Sequence, residues 1–251
     1  MFMILAIIQA RLGSKRLPEK VIADIQGKPM LLHIIERVKH SALIDKIVMA
    51  TTREPHDQIL LQLASQWEIE AFAGSSTDVL DRFYQVASYF SPDIIVRITA
   101  DDPLKDPYIM NKIVNKLIKH PDINYASNTI EPTFPEGLDI EAFTFETLEK
   151  AWINAQLKSE REHVTPYIWK NSNKFQIKNV KYNKNLSFFR WTVDYPEDLC
   201  FIRNVYSRLY KGQIFFFEDV LSLLKKEPAL MQINRRKVLR NEGYINSLLE
   251  D

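Results

Sequence analysis

Apolar runs of strand length alternate with segments of helical periodicity through the first half of the chain. Residues 4–8 form the first apolar run, which is typical of a buried strand. After a polar loop, Leu31, Ile34, Ile35 and Val38 recur at the spacing of a helix's buried stripe. The same alternation then predicts strands at 46–50, 69–72 and 94–99 and helices at 55–66, 78–90 and 106–119. This rhythm predicts an α/β fold, with a mainly parallel sheet covered by helices.

The alternation is looser in the second half of the chain. It predicts strands at 123–127, 138–143 and 188–193 and helices at 146–157, 161–170, 197–210 and 218–225. We interpret residues 128–190 as an α+β subdomain inserted over one edge of the sheet. The C-terminal helices are expected to pack back on the first half, so the prediction is a single domain over residues 1–251.

Composition narrows the class of protein. The chain has 251 residues, of which 46% are hydrophobic and 26% charged, enough to bury a substantial core. The formal net charge of +1 predicts no nucleic-acid partner, so any anion site must be local. A single cysteine, Cys200, can form no internal disulfide, which predicts a reducing, cytoplasmic location. The first apolar run is too short to span a bilayer, so we expect no membrane partner.

A basic loop follows the first strand. Residues 9–20 combine Gly13 and Ser14 with four cationic side chains, Arg11, Lys15, Arg16 and Lys20. Ligands of open α/β sheets bind beyond the carboxyl ends of the strands, which is where this loop begins. Exposed cations and backbone N–H groups at that position would suit a phosphate site. A solvated basic loop without a ligand is the alternative, although four cations at one strand end favour phosphate.

Two predicted strands end at carboxylates. Asp101 and Asp102 follow the strand at 94–99, and Asp194 follows the strand at 188–193. Mg²⁺ is usually held by one or two carboxylates together with substrate phosphates, which makes Asp101 and Asp194 candidate metal ligands. Asp-Asp-Pro is also a turn sequence, so a purely structural role stays open, as does the choice between Asp101 and Asp102.

Several common nucleotide and hydrolase motifs are absent from the sequence. It contains no G-x-x-x-x-G-K-[ST] and no G-x-G-x-x-G, which argues against P-loop NTPases and Rossmann dehydrogenases. It also lacks G-x-S-x-G and H-E-x-x-H, which argues against the simplest serine hydrolases and zincins. The phosphate site must therefore be of another type.

The segments described above match a known family when they are taken together. The first is IIQAR at 7–11, followed by GS at 13–14, RLP at 16–18, Lys20 and GKP at 27–29. The others are ADDPL at 100–104 and VDYPEDL at 193–199, with DVLDR at 78–82, EGLDIE at 136–141 and REHVTP at 161–166 between them. The chain thereby resembles the acylneuraminate and 3-deoxy-manno-octulosonate cytidylyltransferases, and most of all the spore-coat polysaccharide biosynthesis protein F subgroup.

That resemblance implies the nucleotide-diphospho-sugar transferase fold. It also implies that an oxygen of a sugar, sugar acid or related small acceptor attacks the α-phosphorus of CTP and releases pyrophosphate. The product would serve surface polysaccharide or glycan biosynthesis. Mg²⁺ is the implied cofactor, and a homodimer that pairs through the inserted subdomain is the implied assembly.

The resemblance also implies a role for individual residues. Arg11, Lys20 and Asp101 are the expected catalytic residues, and Asp101 and Asp194 the expected Mg²⁺ ligands. The nucleotide is expected to contact Ala10, Arg11, Gly13, Ser14, Arg16, Lys20, Ser75, Asp78, Arg82 and Asp101. Glu19 stands where many relatives have glycine, and we expect its carboxylate to come close to the triphosphate.

The acceptor end is expected to combine acidic and basic side chains. Glu136, Asp139 and Glu141 would bind sugar hydroxyls, an amine or a metal, or would only cap a strand entry. The expected carboxylate- or phosphate-binding groups are Arg161, His163 and Arg190. Two other functions stay open: a glycosyltransferase that uses a preformed nucleotide-sugar on the same fold, and a non-catalytic nucleotide-binding regulator.

Overall fold

A computed structural model describes residues 2–235, 240, 242–247 and 251 of the chain. Its strands are β1 (Ile4–Gln9), β2 (Asp24–Ile25), β3 (Lys28–Pro29), β4 (Lys46–Thr52), β5 (Glu70–Gly74), β6 (Ile94–Thr99), β7 (Tyr125–Ser127), β8 (Glu141–Thr144) and β9 (Ile177–Asn179). Its α-helices are α1 (Met30–Lys39), α2 (Gln58–Gln66), α3 (Val79–Phe90), α4 (Pro107–Lys119), α5 (Phe145–Asn154), α6 (Lys158–His163), α7 (Pro166–Lys170), α8 (Pro196–Leu209), α9 (Phe217–Lys226) and α10 (Glu242–Ser247). Short 3-10 helices cover Lys20–Ile22, Pro55–Asp57 and Pro228–Gln232.

One sheet organises the described residues. Its strand order is β5-β4-β1-β6-β8-β7-β9, while β2 and β3 form a separate small hairpin. Strand β8 runs antiparallel to both of its neighbours, and the other pairings within the sheet are parallel. The predicted α/β class with a mainly parallel sheet is therefore confirmed.

The alternation of side chains along β1 explains why both faces of the sheet are covered. Ile4, Ala6 and Ile8 belong to the core on one face. Leu5 and Ile7 belong to the core on the other face. Because successive side chains of a strand point to opposite faces, a strand that is apolar at every position must have helices on both sides. Helices α1, α4 and α8 cover the first face, and α3, α5 and α7 cover the second.

The second half of the chain differs from its prediction. Strands β8 and β9 of region 128–190 belong to the main sheet, so this region extends the sheet and is not a separate layer over its edge. The strand expected at 188–193 is reduced to an isolated bridge between Glu136 and Arg190. The helix expected at 161–170 is two short helices, because Val164 between them has a left-handed backbone with φ 72°.

The order of the strands places a ligand crevice at the end of β1. The chain runs from β1 outward through β4 to β5 and then returns to β6 on the opposite side of β1. Open α/β sheets bind ligands at such a reversal, beyond the carboxyl ends of the strands. The basic loop after β1 and the carboxylates after β6 both lie there. No helix among the described residues is long and apolar enough to cross a bilayer.

Candidate functional site

A cavity of about 830 Å³ lies beyond the carboxyl ends of β1 and β6. Most of the predicted site residues line it, namely Ala10, Arg11, Gly13, Ser14, Arg16, Lys20, Arg82, Asp101, Glu136, Asp139, Glu141, His163, Arg190 and Asp194. The side around the basic loop, which we call the nucleotide half, contains Arg11 to Lys20, Arg82, Asp101 and Asp194. The side around β8 and α6, which we call the acceptor half, contains Arg97, Asp139, Glu141, Glu162, His163 and Glu242.

The basic loop is held in a folded shape by its own backbone. The N–H groups of Ser14 and Glu19 both donate to the carbonyl of Leu12, at 2.7 and 3.1 Å. Glu19 has a left-handed backbone with φ 56°, a conformation that favours glycine. Its side chain is exposed and does not line the cavity, so the expected approach of its carboxylate to a triphosphate stays a prediction.

Lys20 lies at the centre of the nucleotide half. Its ammonium group donates to the carboxylates of Asp101, at 3.1 Å, and Asp194, at 2.9 Å, and to the carbonyl of Val193, at 2.7 Å. The lysine side chain is 10% exposed, so it is not the exposed loop cation that the sequence suggested. Burial by itself lowers the pKa of Lys20, but the two carboxylates outweigh that effect and raise it.

A backbone contact explains why two distant carboxylates meet. The N–H of Val193 donates to the carbonyl of Asp101 at 2.8 Å, which places Asp194 beside the end of β6. Burial raises the pKa of Asp101, yet the Lys20 charge and the hydrogen bond from Lys20 outweigh it and hold that pKa at about 2. Asp101 is therefore ionised at neutral pH, and both carboxylates contact the same Lys20 ammonium group.

Asp101 and its neighbour Asp102 have different surroundings. The Asp101 side chain is 32% exposed at the cavity, whereas the Asp102 side chain is 6% exposed. Asp102 accepts from the hydroxyl of Thr99 at 2.8 Å and from the ammonium group of Lys105 at 2.7 Å. The Oδ2 atom of Asp102 is thus used to fix the turn after β6, and the greater exposure of Asp101 favours Asp101 as the residue available to a metal.

The two carboxylates also fit what Mg²⁺ requires. No group of three or more His, Cys, Asp or Glu side chains suited to a metal occurs among the residues that the structure describes. Mg²⁺ commonly keeps several water ligands and binds through one or two carboxylates plus substrate phosphates. Two aspartates are therefore a suitable set of protein ligands. Asp101 and Asp194 would supply these carboxylate ligands, through the oxygens that contact the Lys20 ammonium group.

Arg190 connects the nucleotide half to the loop that follows β7. Its guanidinium binds the carboxylates of Glu136 at 2.9 Å, Asp194 at 3.0 Å and Asp198 at 3.0 Å. Burial lowers the pKa of Arg190, but these carboxylates outweigh the effect and raise it. Position 137, next to Glu136, requires glycine. Its φ is 103°, and a Cβ there would lie 2.6 Å from the backbone of Trp191. Arg190 is therefore committed to protein carboxylates, and its expected acceptor contact stays a prediction.

The acceptor half is built around Glu141. This carboxylate accepts from the hydroxyls of Tyr125, at 2.6 Å, and Thr165, at 2.5 Å, and it pairs with Arg97. Burial raises the pKa of Glu141, but the Arg97 charge and these hydrogen bonds lower it overall. Arg97 also donates to the side chain of Gln9 at 3.1 Å, so this buried ion pair joins the acceptor half to the end of β1.

The C-terminal residues form part of the acceptor half. Arg240 pairs with Asp139 and donates to the carbonyl of Phe134 at 3.1 Å. Burial raises the pKa of Asp139, and the Arg240 charge opposes that rise. Glu242 lines the cavity and accepts from the hydroxyl of Tyr195 at 3.2 Å. No motif in the sequence marks these two C-terminal residues, and only the folded chain brings them to the site.

His163 lies where α6 meets α10. Its Nε2 atom is 2.8 Å from the hydroxyl of Ser247. Burial, followed by the nearby Arg97 charge, lowers the pKa of His163 to about 4. The imidazole is therefore neutral at physiological pH, so it would recognise an acceptor by hydrogen bonding and not by charge.

Three expected site residues do not line the cavity. Ser75 accepts from the backbone of Thr77 and Asp78, which shapes the turn before α3. Asp78 caps α3 and pairs with Arg161 at 2.6 Å, and Arg161 also donates to the carbonyl of Trp152. The Asp78–Arg161 pair thus joins α3 to α6, and the expected contacts of these two side chains with the nucleotide and the acceptor stay predictions.

The chain matches a known family over nearly its whole length. A family model described as cytidylyltransferase matches residues 5–240. The chain belongs to this cytidylyltransferase family. Among relatives, the protein MJ1063 of Methanocaldococcus jannaschii is 38% identical over 246 residues, 96% of this chain and 97% of that protein. The spore coat polysaccharide biosynthesis protein SpsF of Bacillus subtilis is 29% identical over 233 residues, 90% of this chain and 95% of that protein.

A solved structure is similar to this cytidylyltransferase as well. The structure of a cytidylyltransferase from Leptospira borgpetersenii superposes with a TM-score of 0.89 at 32% identity, covering 94% of this chain and 99% of that one. These findings confirm the predicted family, its fold and the prediction of a CTP-dependent nucleotidyltransferase. They favour nucleotidyl transfer over the glycosyltransferase and regulator alternatives.

Proposed function

We propose that this cytidylyltransferase transfers CMP from CTP to an oxygen of a small sugar or sugar acid, with Mg²⁺ held by Asp101 and Asp194. The observation that carries the proposal is the position of the Lys20 ammonium group between those two carboxylates, at 3.1 and 2.9 Å. The site lies at the reversal of strand order beside a loop of four cations. That arrangement suits a triphosphate and a divalent cation.

The reaction needs little covalent chemistry from the protein. The acceptor oxygen forms a bond to the α-phosphorus and gives up its proton to solvent, and the bond from that phosphorus to the bridging oxygen breaks as pyrophosphate leaves. Such displacements are accelerated mainly by positioning and by neutralising charge. Arg11, Arg16 and Lys20 would bind the phosphates, and Lys20 would stabilise the charge that develops on pyrophosphate. Mg²⁺, when bound, would neutralise phosphate charge beside Asp101 and Asp194.

The acceptor class is supported by the polarity of the acceptor half. Its side chains include the carboxylates of Asp139, Glu162 and Glu242 and the neutral imidazole of His163. These groups can hydrogen-bond several hydroxyls of a sugar. The likeness to the spore coat polysaccharide protein of Bacillus subtilis supports a role in surface-polysaccharide synthesis. A cytoplasmic location and a homodimer stay predictions from the sequence.

The central experiment measures pyrophosphate release from CTP with a panel of nonulosonic acids, octulosonic acid and phosphorylated polyols, with and without Mg²⁺. We expect Mg²⁺-dependent release with at least one acceptor, and CTP to be preferred over UTP, GTP and ATP. A thermal-shift series with the same nucleotides reports binding separately, since a ligand that binds the folded state raises its apparent stability. Absence of both CTP binding and turnover across the panel would overturn the proposal.

A matched pair of variants tests the metal ligand. We expect Asp101→Asn to shift the Mg²⁺ titration of activity to higher concentration, by roughly tenfold or more, because one carboxylate ligand is lost. Asp102→Asn should mainly lower the melting temperature, because Asp102 binds Thr99 and Lys105 inside the turn. An unchanged Mg²⁺ titration for Asp101→Asn would assign the ligand elsewhere.

A further inference from the structure

Asp57 is a buried carboxylate behind the basic loop. It ends the 3-10 helix Pro55–Asp57 that follows β4, and the residue is 1% exposed. It does not line the cavity, so it has no direct access to a ligand there. Burying a carboxylate costs free energy of folding unless the group is well hydrogen-bonded or paired. The contacts of Asp57 therefore indicate its role.

The two oxygens of Asp57 join separate parts of the chain. Its Oδ1 atom accepts from the backbone N–H of Leu12 at 2.7 Å, and its Oδ2 atom accepts from the hydroxyl of Thr52. Leu12 stands between Arg11 and Gly13 in the basic loop. Asp57 therefore fixes the point at which the loop leaves β1, relative to the end of the neighbouring strand β4.

Asp57 also acts on the cations of the nucleotide half. Burial, followed by the Arg11 charge, lowers the pKa of Arg82, and the Asp57 and Asp78 charges oppose the decrease, so that its pKa is about 10. Arg82 Nε is buried and has no hydrogen-bond partner among the described residues. Arg11 and Arg82 thus both face the cavity, and the Asp57 and Asp78 carboxylates oppose the unfavourable effect of burial and of Arg11 on the charge of Arg82.

We propose that Asp57 is a positioning residue for CTP, which sets the basic loop through its hydrogen bond with the Leu12 N–H. This inference rests on the proposed function, since it assigns CTP phosphates to the loop. Displacing a binding group by about 1 Å can cost ~100-fold in rate or affinity, so a buried contact of this kind can control the site without touching the substrate.

The test compares Asp57→Asn and Asp57→Ala with the wild type. We expect Asp57→Ala to raise the KM for CTP by roughly 10- to 100-fold with a smaller change in kcat, because the loop is misplaced before CTP binds. Asp57→Asn keeps an oxygen for Leu12 but loses the charge, so we expect an intermediate KM. A kcat loss at unchanged KM in both variants would overturn the inference.

Thr51 and Thr52 provide a matched control on the same strand. Thr52→Val removes a hydroxyl that binds Asp57, whereas Thr51→Val removes a buried hydroxyl with no hydrogen-bond partner among the described residues. We expect Thr52→Val to raise the KM for CTP by several-fold and Thr51→Val to leave it unchanged. Equal KM values for the two valine variants would count against a positioning role, because both carry the same loss of a hydroxyl.

A second measurement does not depend on CTP turnover. Trypsin can cleave after Arg11, Lys15 and Arg16, so the rate of cleavage in the loop reports how firmly it is held. We expect faster loop cleavage in Asp57→Ala than in Thr51→Val at equal distance below each melting temperature. Equal rates would overturn the inference. If wild-type protein bound no CTP while this difference persisted, the proposed function would fail and the structural part of the inference would stand.

Discussion

The two halves of the cavity differ in how their charges are balanced. In the nucleotide half, Arg11 and Lys15 have no ion-pair partner among the residues that the structure describes. In the acceptor half, Arg97 pairs with Glu141 and Arg240 pairs with Asp139. The nucleotide half thus keeps cations that can receive a polyanion, whereas the arginines of the acceptor half are already paired with carboxylates of the protein. We infer that charge drives nucleotide binding, while the acceptor is selected mainly by hydrogen bonds and shape.

Loss of Lys20 should give the largest effect. We expect Lys20→Ala to lower kcat by roughly 100-fold or more, because it removes a cation from developing pyrophosphate charge. We also expect a loss of about 1–3 kcal/mol in the free energy of unfolding, since Asp101 and Asp194 lose their shared partner. Pyrophosphate release and thermal unfolding without metal measure the two effects.

Lys112→Ala is the control for Lys20→Ala, because Lys112 is exposed on α4, away from the cavity. It should change neither measurement. Added Mg²⁺ should restore part of the stability lost in Lys20→Ala if Asp101 and Asp194 bind the ion. A wild-type kcat in the Lys20→Ala variant would show that Lys20 is not a catalytic residue.

A pair of arginine variants tests the division into halves directly. We expect Arg16→Ala to raise the KM for CTP by roughly tenfold and to leave the acceptor KM unchanged, because Arg16 lies beside Asp194 in the nucleotide half. Arg240→Ala should do the reverse, because Arg240 holds Asp139 at the acceptor half. Steady-state kinetics with CTP and the accepted sugar acid measure both constants. If each variant raised both KM values equally, the halves would not be separable.

The difference between the halves also explains how far the sequence could predict them. The nucleotide half comes from short motifs that directly follow β1 and β6, so position in the α/β pattern was enough to place Arg11, Lys20 and Asp101 together. Asp194 was found because it follows a second apolar run. Its position near Asp101 depends on the hydrogen bond from the Val193 N–H to the Asp101 carbonyl, which no local pattern contains.

The acceptor half depends on contacts between distant residues. Arg161 appeared in a recognisable motif, yet the motif did not indicate that its guanidinium pairs with Asp78 on another helix. Arg97 interrupts an apolar strand, which was a visible signal of a buried ion pair, but the sequence did not name its partner Glu141. Arg240 and Asp57 carried no signal at all. The fold class needed only periodicity, whereas these pairs needed the folded chain.

The smallest effect concerns His163 and the pH dependence of stability. Its pKa is about 4 in the folded protein against an ordinary value of 6.5, because burial and the Arg97 charge disfavour the protonated ring. Between these two pH values the unfolded chain binds more protons than the folded one, so the wild type loses stability as pH falls from about 6.5 to 4. Above 6.5 this contribution is constant. We expect the His163 share of the loss to be about 1 kcal/mol, since partial exposure reduces the effect.

His163→Gln should make the fall in stability shallower in that window, because glutamine does not titrate. Urea unfolding at pH 7.5, 6, 5 and 4.5 would measure the slope, with His120→Gln as the control on an exposed histidine at the end of α4. We expect the two variants to differ from each other only below pH 6.5. A His163→Gln slope equal to that of the wild type would show that the ring is protonated equally in both states. The acceptor half would then present a cation at acid pH, and its contrast with the nucleotide half would weaken.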